Sequence, residues 1–273
     1  MSETLVEVVD LHLRPQPNKT LFVPLTDPLM ILHGASDYII KSLGLNPICY
    51  IRAPFLPPTM FAMKGVAVHP VTVFGASNTP LYVLKAPPRI GEEAFKLYGA
   101  LARTLVDWAE RNEFERIVVA DIKQASGEKP RVFFAAEEKL AEKLAKLGFE
   151  PFTGVFTSES TYFLDECMRS RVDGVVLIIE SVALGRFFEL LGKLRKGPPG
   201  ALKAPEELVS AVTEHDEVAV RKAIEAVAKI SGVEIPLEGV PALMKDLRNS
   251  LKASLGEILE TLIRFGHPTF VPV

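Results

Sequence analysis

The sequence contains only two cysteines, and it has no long apolar run. Cys49 and Cys167 each lie in an apolar context, which fits buried free thiols in a reducing cytosol better than a disulfide framework. No apolar run approaches the length of about 18 residues that spans a bilayer. The first residues lack the basic and apolar regions of a secretion signal. We therefore expect a cytoplasmic protein that does not cross a membrane.

Neither positive nor negative charge is in large excess, because the net charge is only −3. A nearly neutral chain has no global field that would attract nucleic acid or an anionic membrane surface. Glutamine occurs only at positions 16 and 124, whereas proline occurs 21 times, and this combination favours a thermophilic source. Apolar residues make up 48% of the chain, which is ample for a core and excludes a disordered protein.

Motifs of catalysis, cofactor binding and metal binding are missing. The chain has no Gly-x-Ser-x-Gly, no Gly-x-Gly-x-x-Gly and no phosphate-loop lysine pattern. Bulky aliphatic residues in the first strand-to-helix turn, residues 24–33, would keep the backbone away from a pyrophosphate. The five histidines are solitary, without His-x-x-x-His or Cys-x-x-Cys spacing nearby. We expect no metal and no cofactor, and we interpret the histidines as surface or packing residues.

Apolar runs that alternate with amphipathic helices predict the fold class. Strand 20–25, helix 34–43 and strand 47–51 have the order of a βαβ unit, which predicts a parallel pair of strands. Short β-branched runs at 116–120 and 174–180 are typical of strands that are covered on both faces. The pattern predicts an α/β fold with a doubly wound, mostly parallel sheet.

The domain organisation follows from where the strands end. Residues 1–200 are expected to form the α/β core domain, and residues 201–273 a C-terminal helical segment with an apolar tail. Within the core, the strands at 71–74 and 80–84 predict a hairpin. A helix over 137–147 is expected to turn its leucines inward, Leu147 among them.

Polar residues follow several predicted strands, where ligands of open α/β sheets bind. Asp121 and Lys123 lie in a loop predicted over 121–127, Glu180 ends a later strand, and Asp27 follows the first. One interpretation is a phosphorylase- or hydrolase-like enzyme, in which Asp121 or Glu180 is a general base and Lys123 holds an anion. The other is that these loops are polar because they are solvated. Both interpretations stay open at this point.

Two C-terminal features favour binding to protein. The last predicted helix, from residue 239 to about 265, repeats apolar residues at spacings of three and four, as in a coiled coil. This oligomer seam comprises Leu247, Leu251, Leu255, Ile258 and Leu262. The helix either packs on its own domain or is shared between protomers. The apolar tail, which comprises Phe270, Val271, Pro272 and Val273, either folds against the core or docks in a groove of a partner.

The order of these segments resembles the proteasome assembly chaperone family, in a divergent, archaeal-type form. Five segments are similar to the opening strand and helix, the second strand with its proline loop, a helix-strand-loop unit, the approach to a small-residue loop, and a C-terminal helix. They are residues 21–43, 48–58, 108–127, 146–150 and 216–235. The resemblance implies a nucleoside-phosphorylase-like α/β domain followed by helices.

The same resemblance implies a non-catalytic role. Members of the family are chaperones, so we expect a homo-oligomer that binds other protein subunits, such as proteasome α subunits, through its tail. Some members end in a hydrophobic-Tyr-any tripeptide that plugs pockets on the proteasome α-ring. This chain has Pro272 where the tyrosine would stand.

Overall fold

A nine-stranded sheet organises the protein. The computed structural model describes residues 7–11, 18–25, 27–52, 61–63, 66–86, 92–196, 216–246 and 249. In spatial order, the strands of the sheet are β1 (Glu7–Asp10), β3 (Asn46–Arg52), β6 (Thr72–Gly75), β7 (Leu81–Lys85), β2 (Lys19–Pro24), β8 (Phe114–Gln124), β11 (Asp173–Ser181), β9 (Val132–Ala136) and β10 (Glu150–Pro151). Two further strands, β4 (Phe61–Met63) and β5 (Val66–Val68), pair in a separate antiparallel ribbon.

Helices cover both faces of this sheet. Their bounds are α1 (Ile31–Ser42), α2 (Glu92–Arg111), α3 (Glu138–Lys146), α4 (Ser160–Met168), α5 (Val182–Lys196) and α6 (Asp216–Ser231). Residues 240–246 are helical as well. Side chains of α1, α3, α5 and α6 share one hydrophobic cluster, and those of α2 and α4 belong to the cluster on the opposite face. None of the helices in the described part of the chain is long and apolar enough to cross a membrane.

The prediction of an α/β fold with a mostly parallel sheet is confirmed. The four central strands β7, β2, β8 and β11 run parallel to one another, whereas the pairs toward the β1 edge are antiparallel. The central strands β2 and β11 are buried at nearly every position, since both of their faces are covered by helices. The predicted hairpin is also confirmed, as β6 and β7.

The expected pairing of β2 with β3 needs a correction. Both strands run in the same direction, but β6 and β7 lie between them in the sheet. The reason is the pairing of β2 with β7, in which Thr20 lies opposite Leu81. The hairpin therefore occupies the place beside β2 that the βαβ pattern assigned to β3.

Strand β8 is longer than predicted, so the loop expected over 121–127 is partly wrong. Residues 121–124 continue the strand and pair with β11 as far as Gln124, which lies opposite Ser181. Asp121 and Lys123 alternate with Ile122, which packs against the cluster on the other face. A second correction concerns Leu147, which follows α3 and is 38% exposed instead of turned inward.

Helix α6 packs on the sheet beside α1. Its residues Ala219, Val220, Ala223 and Ile224 are buried in the same cluster as α1, and so is Met244 in the helical stretch 240–246. Burying a large aliphatic side chain stabilises the fold by about 1.5–3 kcal/mol, so this packing fixes residues 216–246 firmly. The division of the chain at residue 200 stays a prediction.

Candidate functional site

The side chain of Glu180, at the end of β11, is fully buried. Its carboxylate accepts hydrogen bonds from the backbone N–H of Arg131 at 3.0 Å, from the Ser126 hydroxyl at 2.9 Å and from the Ser126 backbone N–H at 3.3 Å. The Nζ atom of Lys123 lies 3.4 Å away, as does Nε of Arg131. Burial raises the pKa of the Glu180 carboxyl, but the hydrogen bonds from Ser126 and Arg131 outweigh it, so the pKa is lowered. A carboxylate with a lowered pKa is a weak general base near neutral pH.

The two cations beside Glu180 are also engaged by aromatic rings. Lys123 Nζ lies 4.4 Å from the ring centre of Phe133 and 5.4 Å from that of Phe152, and the Arg131 guanidinium lies 4.7 Å from Phe133. Such cation–π contacts add to the ion pairs with Glu180. Lys123 is therefore already neutralised by Glu180, which weakens its predicted role as the holder of an anion.

Asp121, the other predicted general base, turns toward the beginning of α4. Its Oδ2 atom accepts a hydrogen bond of 3.3 Å from the Ser160 hydroxyl, and Ser158 contributes a second hydroxyl to the same group. Burial raises the pKa of the Asp121 carboxyl, although these hydroxyls and the backbone N–H of Ile122 oppose the shift. Burial also raises the pKa of Glu159, and the neighbouring Asp121 adds to it. Asp121 and Glu180 thus have separate sets of partners, and no described contact brings them into one site.

Asp27, the third polar residue at a strand end, has a local role. Its carboxylate accepts hydrogen bonds from three backbone N–H groups at the start of α1, those of Leu29, Ile31 and Leu32, at 2.9–3.0 Å. These donors have no partner within the helix, so the carboxylate completes the helix end. Helix α1 begins at Ile31 and not at the predicted residue 34, so this role of Asp27 was not predicted from the sequence.

The histidines were interpreted as surface or packing residues, and His33 is a buried packing residue. Its Nε2 atom lies 3.0 Å from the carbonyl oxygen of Ala86, and a hydrogen bond to that acceptor requires the proton on Nε2. Nδ1 is buried without a hydrogen-bond partner. Burial lowers the pKa of the imidazole, and the nearby Asp27 opposes this shift.

The cysteines are free and buried, as predicted. Burial raises the pKa of both thiols to about 12. Since the thiolate is the reactive species, neither cysteine is set up as a nucleophile. Within the described ranges, no group of three or more histidine, cysteine and carboxylate side chains is arranged to hold a metal ion.

The segment that leads to the C-terminal helix is attached to α1. The Tyr38 hydroxyl donates a hydrogen bond of 2.7 Å to the carbonyl oxygen of Pro236 and accepts one of 3.2 Å from the Gly239 N–H. Met244, which precedes the oligomer seam in the same apolar pattern, is buried in the core. The seam itself and the tail lie outside the described residues: Leu247, Leu251, Leu255, Ile258, Leu262, Phe270, Val271, Pro272 and Val273.

One family model matches most of this chain, and solved structures share its fold. The family model described as the PAC2 family matches residues 21–254. No curated protein matches the sequence significantly. Among solved structures, PbaA of Pyrococcus furiosus, an archaeal homolog of proteasome-assembly chaperone, is similar with a TM-score of 0.67 and 18% identity, over 94% of this chain and 99% of that one.

Two further structures have the same fold. A protein of unknown function from Thermoplasma acidophilum has a TM-score of 0.65 and 18% identity, over 92% of this chain and 91% of that one. PbaB of Pyrococcus furiosus, described as an archaeal proteasome activator, has a TM-score of 0.63 and 14% identity, over 93% of this chain and 100% of that one. At these identities, the similarity establishes the fold and not the role.

Proposed function

The chain belongs to the PAC2 family, and on that premise we propose that it is a non-catalytic factor that associates with itself and binds other protein subunits. The partners are proteasome subunits, most directly the α subunits, and the protein acts in the cytoplasm of a thermophilic cell. The observation that carries this proposal is the family match, which covers residues 21–254. Structural neighbours described as a proteasome-assembly chaperone homolog and a proteasome activator support it.

The polar groups at the strand ends also support a non-catalytic role. Glu180 holds the loop between β8 and β9, and Asp27 caps α1. Both carboxylates are therefore engaged in stabilising the fold at the place where an α/β enzyme binds its ligand. The tail of residues 270–273 would then bind the partner subunit, and the oligomer seam would join protomers.

Partner binding is tested with the whole chain. The full-length protein, immobilised through its N-terminus, is exposed to a native cell extract, and the bound proteins are identified by mass spectrometry. We expect proteasome α subunits with the wild type, and fewer with Phe270→Ala and Val271→Asp. Recovery of no proteasome subunit by the wild type would contradict the proposal.

Self-association is tested by light scattering of the whole chain and of a chain shortened after residue 246. This end point keeps Val240 and Met244, which are buried in the core, so the shortened chain retains its packing. We expect the whole chain to associate and the shortened chain to be monomeric. Equal assembly size for the two chains would contradict a shared seam.

The alternative function, a phosphorylase- or hydrolase-like enzyme, keeps one supporting observation. Burial raises the pKa of Asp121, and general bases in enzymes often have raised pKa values. The test is turnover of nucleosides with phosphate, and of ester substrates, by wild type, Asp121→Ala and Glu180→Ala. Turnover that survives both substitutions would remove the roles assigned to these residues.

A further inference from the structure

Two buried polar atoms of the central sheet have no hydrogen-bond partner among the residues that the structure describes. They are Oγ1 of Thr20 in β2 and Nε of Arg116 in β8. Thr20 is 1% exposed, and the side chain of Arg116 is 16% exposed. A buried polar group without a partner is destabilising, so nearly all such groups in folded proteins bond to protein or to ordered water.

The two side chains are neighbours on one face of the sheet. Thr20 lies opposite Arg116 in the parallel pairing of β2 with β8. Two residues further along, Phe22 lies opposite Val118, and both of these side chains belong to the cluster that α1 and α6 cover. Because side chains alternate along a strand with a period of two, Thr20 and Arg116 lie on this same face. Paired strands are about 4.8 Å apart, a distance at which one small molecule bonds to a side chain on each strand.

The other two nitrogens of the Arg116 guanidinium already have partners. Nη1 donates a hydrogen bond of 2.9 Å to the carbonyl oxygen of Ile230, and Nη2 pairs with the Glu115 carboxylate. The Ile230 carbonyl is in the last turn of α6, where carbonyl groups have no partner within the helix, so Arg116 joins α6 to β8. The ion pair with Glu115 neutralises the guanidinium, so the partner of its Nε–H needs no negative charge.

We propose that one ordered water molecule binds between Thr20 and Arg116, where it accepts a hydrogen bond from the Arg116 Nε–H and donates one to Thr20 Oγ1. The guanidinium only donates and the hydroxyl also accepts, so a molecule that does both bridges them. Such a bridge is nearly as favourable as a direct hydrogen bond. The water then belongs to one chain of bonds that joins β2, β8 and the Ile230 carbonyl of α6. This proposal does not depend on the proposed function.

The direct test is a high-resolution crystal structure of the full-length protein and of its Thr20→Val and Thr20→Ser variants. We expect a water within hydrogen-bond distance of both Thr20 Oγ1 and Arg116 Nε in the wild type. The water should stay in Thr20→Ser, which keeps a hydroxyl, and leave or shift in Thr20→Val. A wild-type structure without this water, or with a water that bonds only one of the two atoms, would overturn the proposal.

Urea unfolding of the same variants gives a test whose sign decides the outcome. Thr20→Val keeps the shape of the side chain and removes only the hydroxyl. If that hydroxyl bonds a water, its loss should raise the unfolding equilibrium constant about twofold to tenfold. If it has no partner, valine removes an unsatisfied polar group and the constant should fall, which would contradict the proposal. Thr72→Val is the matched control, since the buried Thr72 hydroxyl donates to the His69 carbonyl at 2.8 Å and its loss should raise the constant.

Arg116→Lys, alone and combined with Thr20→Val, completes a double-mutant cycle. Either substitution should break the bridge, so together they should raise the unfolding constant by less than the product of their separate effects. The cycle cancels the separate loss of the bond to Ile230. Effects that simply multiply would show that the two side chains share no water, and the proposal would be wrong.

Discussion

The backbone N–H of Arg131 lies 3.0 Å from a carboxylate oxygen of Glu180, and the backbone N–H of Glu180 lies 2.9 Å from the carbonyl oxygen of Arg131. This reciprocal pair joins the start of β9 to the end of β11. Because the Ser126 hydroxyl donates to the same carboxylate, the pair also closes the loop between β8 and β9. One buried side chain thus determines the shape of the sheet edge at which a ligand would be expected.

We predict that Glu180→Ala lowers the free energy of unfolding by about 1–3 kcal/mol at pH 7, because it removes the buried acceptor of the hydrogen bonds from Ser126 and Arg131. The substitution leaves Lys123 and the Arg131 N–H without their acceptor. Urea unfolding followed by circular dichroism measures the change. Glu150→Ala is the control, since Glu150 pairs with the same Arg131 at 3.7 Å on the surface. A loss below about 1 kcal/mol, typical of exposed pairs, is expected there.

The destabilisation by Glu180→Ala should itself depend on pH. The pKa of Glu180 is lowered in the folded protein, so its ionised form contributes stability above the ordinary glutamate pKa. That contribution is lost as the pH falls through the lowered folded value. The difference between wild type and variant should therefore shrink in acid, and a constant difference down to low pH would contradict the assignment.

The burial of His33 predicts a second pH dependence of the free energy of unfolding, at higher pH than that of Glu180. Its pKa is lowered from 6.5 in the folded protein by burial, so the unfolded chain takes up the proton first as the pH falls. Its contribution to stability is present above pH 6.5 and is lost below it. Three neighbouring charged groups also affect the pKa of His33. Asp27, whose own pKa is raised by burial, and Asp37 raise it, whereas Lys85, the ion-pair partner of Asp37, lowers it.

His33→Gln should flatten this dependence, because a glutamine amide does not titrate. Urea unfolding of wild type and variant at pH 8 and pH 5.5 measures it, and we expect the wild type to lose more stability between the two. His69→Gln, which removes a half-exposed imidazole stacked on Tyr50, is the control for the loss of one histidine. Parallel losses for wild type and His33→Gln would contradict the role of His33.

Both cysteines should be unreactive in the folded protein. Burial raises the pKa of each thiol to about 12, so the thiolate is scarce at pH 8 and shielded from a bulky disulfide reagent. We expect reaction of Cys49 and Cys167 with such a reagent only after addition of urea. Val155→Cys is the positive control, since Val155 is 91% exposed and its replacement should react at once. Rapid reaction of the untreated wild type would contradict the burial of the thiols.

The sequence was sufficient to predict the strands whose residues are buried on both faces. The central residues of these strands, 21–23 in β2 and 175–179 in β11, are all apolar, so the local pattern and the tertiary environment agree. The place of β3 was not predictable in this way. Hydrophobic periodicity reports which face of a strand is buried, but the insertion of the β6–β7 hairpin beside β2 depends on pairing between residues about sixty positions apart, such as Thr20 and Leu81.

The polar residues of β8 were misassigned for a related reason. Asp121 and Lys123 read as a solvated loop because two charged side chains in a buried strand are unfavourable without partners. The partners, Ser160 and Glu180, come from distant parts of the chain and pair with them in space. Asp27 was noted only as a polar residue at a strand end, because the helix was predicted to start at residue 34 and not at Ile31.

Helix α4 packs closely against β11 at Gly174. A Cβ atom at this position of β11 would lie 2.7 Å from Cβ of Cys167 in α4 and 3.2 Å from a methyl group of Leu164. We expect Gly174→Ala to cost about 1–3 kcal/mol, the usual range for overpacking, because α4 has to move away from the strand. Gly192→Ala in α5 is the control, since a Cβ there meets nothing within 4 Å and alanine favours a helix.

Cys167→Ala removes the sulfur but keeps Cβ of residue 167. Combining Cys167→Ala with Gly174→Ala should therefore not restore the stability that Gly174→Ala loses. Full restoration would mean that the sulfur, 3.3 Å from the added atom, sets the helix-strand distance instead of Cβ of Cys167.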